Sequence, residues 1–302
     1  MKKKIITWIK DWAETAECFA WVIAATSVIY GSALAWHEGY HRWGLFALTL
    51  IAGVLMQCGV NLCNVYDGWI KGQDQQKDTF GDIDNPLVQG RIKLEHVRNG
   101  AIGAFTLASL IGFYLAYVCG WQILVFGLIG LIGGRSYTGG PLSYKEAGLG
   151  PIIVLFLMGH LMILPSYFIQ SGHFAWWVVL AATPVAMLIS MVMQANDIRD
   201  VEDDIKTGVR SMATRLGRRG ALVLYAGMWI GAYAIQGYCV SQGYLPYTSA
   251  LTILLWPKLF KMAKTYSDPQ VSRENIVALE KMSAQLHLKY GLLNIIALLL
   301  PW

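Results

Sequence analysis

The chain has 302 residues, of which 55% are Ala, Val, Ile, Leu, Met, Phe, Trp, Tyr or Cys and only 14% are charged. A water-soluble domain carries about a quarter charged residues, so this composition excludes a polar-coated globule and points to a bilayer as solvent. The net charge of +5 makes no case for nucleic acid, because the basic residues are the ones that fix topology.

Charge-free blocks occupy residues 18–37, 43–66, 99–134, 147–196, 220–257 and 290–302. A membrane-crossing helix needs about 20 apolar residues. The first two blocks hold one span each. The next three have room for two, with turns at Cys119-Gly120-Trp121, Gln170-Ser171-Gly172-His173 and Ser241-Gln242-Gly243. The last block is short unless its helix begins upstream of Lys289. The expected fold is all-α, a single integral membrane domain of nine transmembrane helices in two related halves, about 1–134 and 135–302. Continuous apolar runs exclude a β-barrel, whose strands alternate over about ten residues.

Lys2, Lys3 and Lys4 ahead of an apolar run ending at Ala33-Leu34-Ala35 suggest a secretory signal. Asp11, Glu14 and Glu17 intervene, however, and the run is long enough to span, so it reads as the first membrane helix. With nine spans, the N-terminal segment shares a side with loops 67–98, 135–146, 197–219 and 258–289. Together these hold 23 of the 24 Lys and Arg, Arg42 being the exception. The positive-inside rule puts all of them in the cytoplasm, the chain being a multi-pass protein of the cell (inner) membrane. Eighteen of the 19 acids lie there too, and since acids do not follow that rule their crowding needs another cause. The five cysteines form no C-x-x-C pair and fit packing.

Two of these loops are acidic in a pattern. Leaving the second span, Asn64, Asp67, Lys71, Asp74 and Asp78 are spaced 3, 4, 3 and 4 and form one stripe at about 100° per residue, if the helix runs on through Gly72. Leaving the sixth, Asn196, Asp200 and Asp204 repeat at i, i+4 and i+8. Either stripe alone could be a solvated helix end. Two in corresponding places, with few interleaved cations, repel by a few tenths of a kcal/mol per pair and call for positive charge between them. Hard oxygen ligands suit Mg²⁺, Mn²⁺ or Ca²⁺, and carboxylates that retain water suit Mg²⁺ bridging a phosphate. A ligand with an apolar tail and a diphosphate head fits both environments, and the chemistry allowed is ionisation of an allylic diphosphate.

The loop 135–150 brings Arg135 and Lys145 as its cations, with Tyr137 and Tyr144 as aromatic faces for an allylic cation. Taken alone it is also an ordinary Gly/Pro-rich loop. His160, inside the fifth span, reads as a hydrogen-bonded core histidine.

These residues carry a resemblance. Asn196-Asp-Ile-Arg-Asp200-Val-Glu-Asp-Asp204 through Arg215-Leu-Gly217 resembles the second aspartate motif of the UbiA superfamily of intramembrane prenyltransferases. Tyr137 to Gly150 resembles the loop before that family's fifth helix, particularly in the branch that prenylates 1,4-dihydroxy-2-naphthoate in menaquinone biosynthesis. Asn64 to Asp74 is similar to its first motif, and Asn85 to Ile92 to the stretch after it. The likeness covers roughly residues 15 to 300. Three features depart from the pattern: the first Asp usually stands four residues after the Asn, where this chain has Gly68 and carries Asp67 instead; the usual Asp directly after that Asn is Val65; and the Arg-Pro often found before the first helix is missing.

The resemblance implies a nine-helix bundle around a central cavity and Mg²⁺-dependent transfer of a polyprenyl group from its diphosphate to a small aromatic acceptor. It implies Asn64, Asp67, Asp74, Asp78, Asn196, Asp200 and Asp204 as metal ligands. Asn64, Lys71, Arg135, Lys145 and Arg199 would meet the diphosphate, and Asp67, Asp200 and Tyr137 would act in catalysis. The partners expected are the polyprenyl diphosphate, the aromatic acceptor and membrane lipid. The alternatives are a prenyltransferase for another aromatic or lipid acceptor, a membrane terpene cyclase, and a transporter or lipid-binding protein; charge-free spans argue against the last class.

Overall fold

The computed structural model describes residues 2–72, 86–140, 143–267 and 271–300, and within them every regular element is helical. An amphipathic helix α1 (Lys2–Thr15) breaks at Glu17 and gives way to α2 (Cys18–His37). Then come α3 (Trp43–Ile70), α4 (Leu94–Cys119) and α5 (Gln122–Arg135). The second part comprises α6 (Gly150–Ser171), α7 (Trp176–Thr207) and α8 (Met212–Ser241). A 3-10 segment (Tyr247–Leu255) leads into α9 (Trp256–Ser267), and α10 (Arg273–Leu299) follows. The three turns expected inside the long apolar blocks end helices at Cys119, Ser171 and Ser241.

Among the described residues five helices are long and apolar enough to cross a membrane, α2, α3, α4, α6 and α7, with α5 a shorter apolar helix. Their outward faces agree: Leu107, Leu110 and Phe113 of α4 and Ile129 and Ile132 of α5 are exposed, as lipid-facing side chains are.

Two expectations change. The acidic stripe of α3 does not run on as one helix, because the helix stops at Ile70 and Gly72 takes φ 72°, a left-handed conformation that ends the hydrogen-bond ladder. Asp74 and Asp78 lie outside the described residues. The segment 258–289, expected as a loop, is mostly helix. Its described charges belong to α9 and to α10, which begins well upstream of Lys289 and so gives the last apolar block the length it lacked.

The bundle is organised around α2 and α7, its most enclosed helices. α2 packs on α3, α6 and α10; α7 packs on α6, α8 and α10; α4 lies along α3. Water does not drive helix association inside a bilayer, so close van der Waals approach and interhelical hydrogen bonds must. Both are present. A Cβ on Gly31 of α2 would stand 2.3 Å from the carbonyl oxygen of Ile163 in α6. The Ser27 hydroxyl donates to the carbonyl of Met158 (2.9 Å), which lies in a π-helical turn of α6, Leu155–His160. Tyr30 donates to the Ala181 carbonyl (2.9 Å) and Ser190 to that of Pro151 (2.6 Å). We expect Gly31→Ala to lower the thermal midpoint in detergent by the equivalent of about 1–3 kcal/mol, since backbone must move to admit the methyl. An unchanged midpoint would contradict this crossing. His160 is, as expected, a tied histidine, its Nε2 3.1 Å from the Thr183 hydroxyl.

Candidate functional site at the mouth of an intramembrane cavity

A cavity of about 350 Å³ opens between α2, α3, α4, α5, α6 and α7, with Glu280 of α10 also on its lining. Its depth is apolar, with Ile23, Met56, Leu115, Phe126, Leu157 and Met162 on the walls. Its mouth is polar: Asn64, Tyr137, Lys145, Asn196, Arg199 and Asp200 all line it. The two motifs, 132 residues apart from Asn64 to Asn196, thus share one hollow.

In the first cluster, Asn64 accepts a hydrogen bond at Oδ1 from the Thr138 hydroxyl (3.0 Å). Asp67 is buried and gripped by both arms of Arg135, through Nη1 to Oδ2 and through Nη2 to Oδ1 (3.2 Å). A three-residue step from Asn64 turns Asp67 toward α5, whereas Gly68, one residue on, lines the cavity. Asp67, Lys71 and Arg135 therefore stand just outside the lining. Lys71 donates to the Thr138 carbonyl (2.7 Å) and to Glu146 (2.5 Å). Gly139 closes the cluster: a Cβ there would lie 1.6 Å from Nη1 of Arg135 and 2.3 Å from Oδ2 of Asp67.

In the second cluster, Arg199 clamps Asp200 through Nε (2.7 Å) and Nη2 (2.9 Å) and reaches Glu280 of α10 through Nη1. Asn196 donates to the same Glu280 (3.1 Å). Asp204 is buried one turn beyond Asp200 and does not line the cavity. The remaining acids of this stretch are structural ties. Asp197 accepts the N–H of Met212 (3.2 Å) and caps α8, while Glu202 and Asp203 pair with Arg273 at the start of α10.

Tyr137 sits between the clusters, its hydroxyl directed at Sδ of Met193 (3.0 Å). Burial pushes its phenol well above the ordinary range, and the carboxylates of Asp197, Glu17, Asp204 and Asp200 push it the same way. It is a protonated ring with an aromatic face, not a base.

Among the described residues no three His, Cys, Asp or Glu side chains converge as a closed metal cage. The motif residues that offer oxygens from the cavity lining are Asn64, Asn196 and Asp200, with the carboxylates of Glu17 and Glu280 on the same lining. Such a set suits a hard cation that completes its shell with water and phosphate oxygens. Residues not foreseen from the sequence are Glu17, Thr138, Glu146 and Glu280. Glu280 leaves a trace in the sequence, since Glu280, Ser283, His287, Tyr290 and Asn294 form a stripe spaced 3, 4, 3 and 4, all of it buried in α10.

Residues 24–282 match the model of the UbiA prenyltransferase family. The chain is 28% identical over 259 residues to a 1,4-dihydroxy-2-naphthoate octaprenyltransferase of Bacillus subtilis, covering 85% of this chain and 82% of that one. It is 29% identical over 293 residues to a UbiA prenyltransferase domain-containing protein 1 homolog of Drosophila melanogaster, covering 92% and 76%. The structure of a UbiA homolog from Archaeoglobus fulgidus bound to DMAPP and Mg²⁺ superposes with a TM-score of 0.67 at 16% identity, over 95% of this chain and 99% of that one.

Proposed function

We propose that this chain, which belongs to the UbiA prenyltransferase family, transfers a polyprenyl group from an allylic diphosphate to 1,4-dihydroxy-2-naphthoate or a closely related aromatic acid. The observation that carries this reading is the single cavity, apolar in depth and polar at its mouth, lined by residues of both motifs. The naphthoate enzyme among its relatives supports the acceptor, and the homolog bound to DMAPP and Mg²⁺ supports the donor and the metal. We read the bundle as nine crossings, α2 to α8, the rod of the 3-10 segment with α9, and α10, with the N-terminus and the motif loops cytoplasmic.

Asn64, Asn196 and Asp200 would hold Mg²⁺ from the cavity wall, with Asp67 and Asp204 contributing from beside it; Asp74 and Asp78, outside the described residues, stay in the proposed ligand set on the sequence pattern alone. When bound, Mg²⁺ draws negative charge off the departing diphosphate. Lys145 and Arg199 meet the phosphate oxygens at the mouth, and Lys71 and Arg135 add positive charge behind it. The apolar depth takes the hydrocarbon tail and keeps water from the cation. The neutral Tyr137 ring offers a π face to that cation without a nucleophilic phenolate to trap it. The electron-rich acceptor ring then attacks the allylic carbon, and the new C–C bond forms with loss of the ring carboxylate as CO₂ when the acceptor is dihydroxynaphthoate.

The test is an assay of purified membranes with a labelled prenyl diphosphate and a panel of aromatic acids, with Mg²⁺ and with EDTA. The expected result is a prenylated naphthoquinol that EDTA suppresses. A hydrocarbon product formed without any aromatic acid would instead mark a cyclase, and absence of transfer to every acid would overturn the reading.

A further inference from the structure

Arg199 has more negative charge around it than it needs. Asp200 occupies its Nε and Nη2, a complete bidentate pair. Glu280, 81 residues further along the chain, takes Nη1. Both acids are buried. Two buried carboxylates on one guanidinium concentrate negative charge on this wall of the cavity, a setting that favours a cation close by.

Glu280 also settles the orientation of Asn196. An ionised carboxylate can only accept, so the amide nitrogen must point at it. The opposite end of that amide, Oδ1, accepts no hydrogen bond from the described residues, and Asn196 lines the cavity. Glu280 therefore holds the side chain with its hard oxygen available.

We propose that Glu280 is a positioning residue of the diphosphate site: it presents Oδ1 of Asn196 to a divalent cation and retains Arg199 when Asp200 turns from the guanidinium to that cation. This rests on the metal-dependent reading above and adds a residue from α10, far in sequence from either motif. Without Glu280, Asp200 would have to remain with Arg199 or leave a buried guanidinium uncompensated, and the Asn196 amide would be free to turn over. The metal-loaded arrangement would become harder to reach while the fold stayed intact.

The experiment uses the full chain purified in detergent and follows its thermal midpoint as Mg²⁺ is titrated at a fixed concentration of inorganic diphosphate. For Glu280→Gln, similar in shape but uncharged, the half-saturating Mg²⁺ concentration should rise about 10- to 100-fold, the usual cost of losing a residue that orients a metal ligand. Glu280→Asp keeps the charge on a shorter arm and should shift the same way by less; it also serves if the Gln variant does not fold. Glu202→Gln, which removes an exposed acid of α7 paired to Arg273, should leave the titration unchanged. The KM for the aromatic acceptor should not move in Glu280→Gln, whereas general loosening of the bundle would raise it together with the Mg²⁺ requirement. Wild-type half-saturation in folded Glu280→Gln or Glu280→Asp overturns the role of Glu280 alone. A wild-type protein that transfers prenyl groups but shows no Mg²⁺-dependent shift overturns the metal reading, and this proposal with it.

Discussion

Asp200→Ala should reduce prenyl transfer by about a thousandfold or more while leaving the protein folded in the membrane. The loss follows from position: Asp200 is the one ionised oxygen donor of the second stripe on the cavity wall. The preserved fold follows from its neighbour. Truncating one partner of a buried ion pair costs about 3–5 kcal/mol when the other charge is left alone. Arg199 is not left alone, because Glu280 still holds Nη1. Activity and stability should therefore separate, with turnover collapsing and the thermal midpoint close to wild type. Wild-type turnover in this variant would refute the metal role. Asp204→Ala is expected to fall in the same direction through the field of a carboxylate one turn behind the wall.

Gly139→Ala tests the other half of the site by adding a single methyl group. The new carbon would overlap Nη1 of Arg135 and crowd Oδ2 of Asp67, at 1.6 and 2.3 Å. Nothing of the backbone stands in its way among those nearest atoms, and the Arg135 side chain is half-exposed and long, so the guanidinium can swing aside. Both charges survive, and the stability cost should stay under about 1 kcal/mol. The positive charge beside the diphosphate moves by an ångström or more. Displacements of that size cost about a hundredfold in rate where catalysis depends on placement. Transfer assays and thermal unfolding on the same preparation check both parts. A variant with unaltered turnover would mean that the Asp67–Arg135 pair has no part in the reaction.

The all-helical build and the five long apolar helices among the described residues were legible in the sequence, because a bilayer penalises charge so heavily that spans appear as charge-free blocks. The turns inside the long blocks and the helix carrying Asn196, Asp200 and Asp204 were readable for the same reason, combined with helical periodicity. Pairings between distant segments were not. The grip of Arg135 on Asp67 spans 68 residues, and its direction depends on a one-residue difference between Asp67 and Gly68 that places one on the cavity wall and the other behind it. Arg135 and Arg199, expected as phosphate ligands, are engaged in this structure with Asp67 and Asp200. A charge that serves a ligand and a charge that serves a neighbouring acid look alike in sequence. Glu280 was hidden for a different reason: it stands in a charged segment resembling a loop, and only the buried polar stripe of α10 distinguishes it.

Binding an unreactive prenyl thiodiphosphate with Mg²⁺ and solving that complex would ask the decisive question of where the headgroup sits. The diphosphate is expected at the cavity mouth, with metal coordinated by Asp200 and the amide oxygens of Asn64 and Asn196 and the hydrocarbon running down past Met56 and Leu157. A headgroup bound elsewhere, or metal held by neither motif, would contradict it.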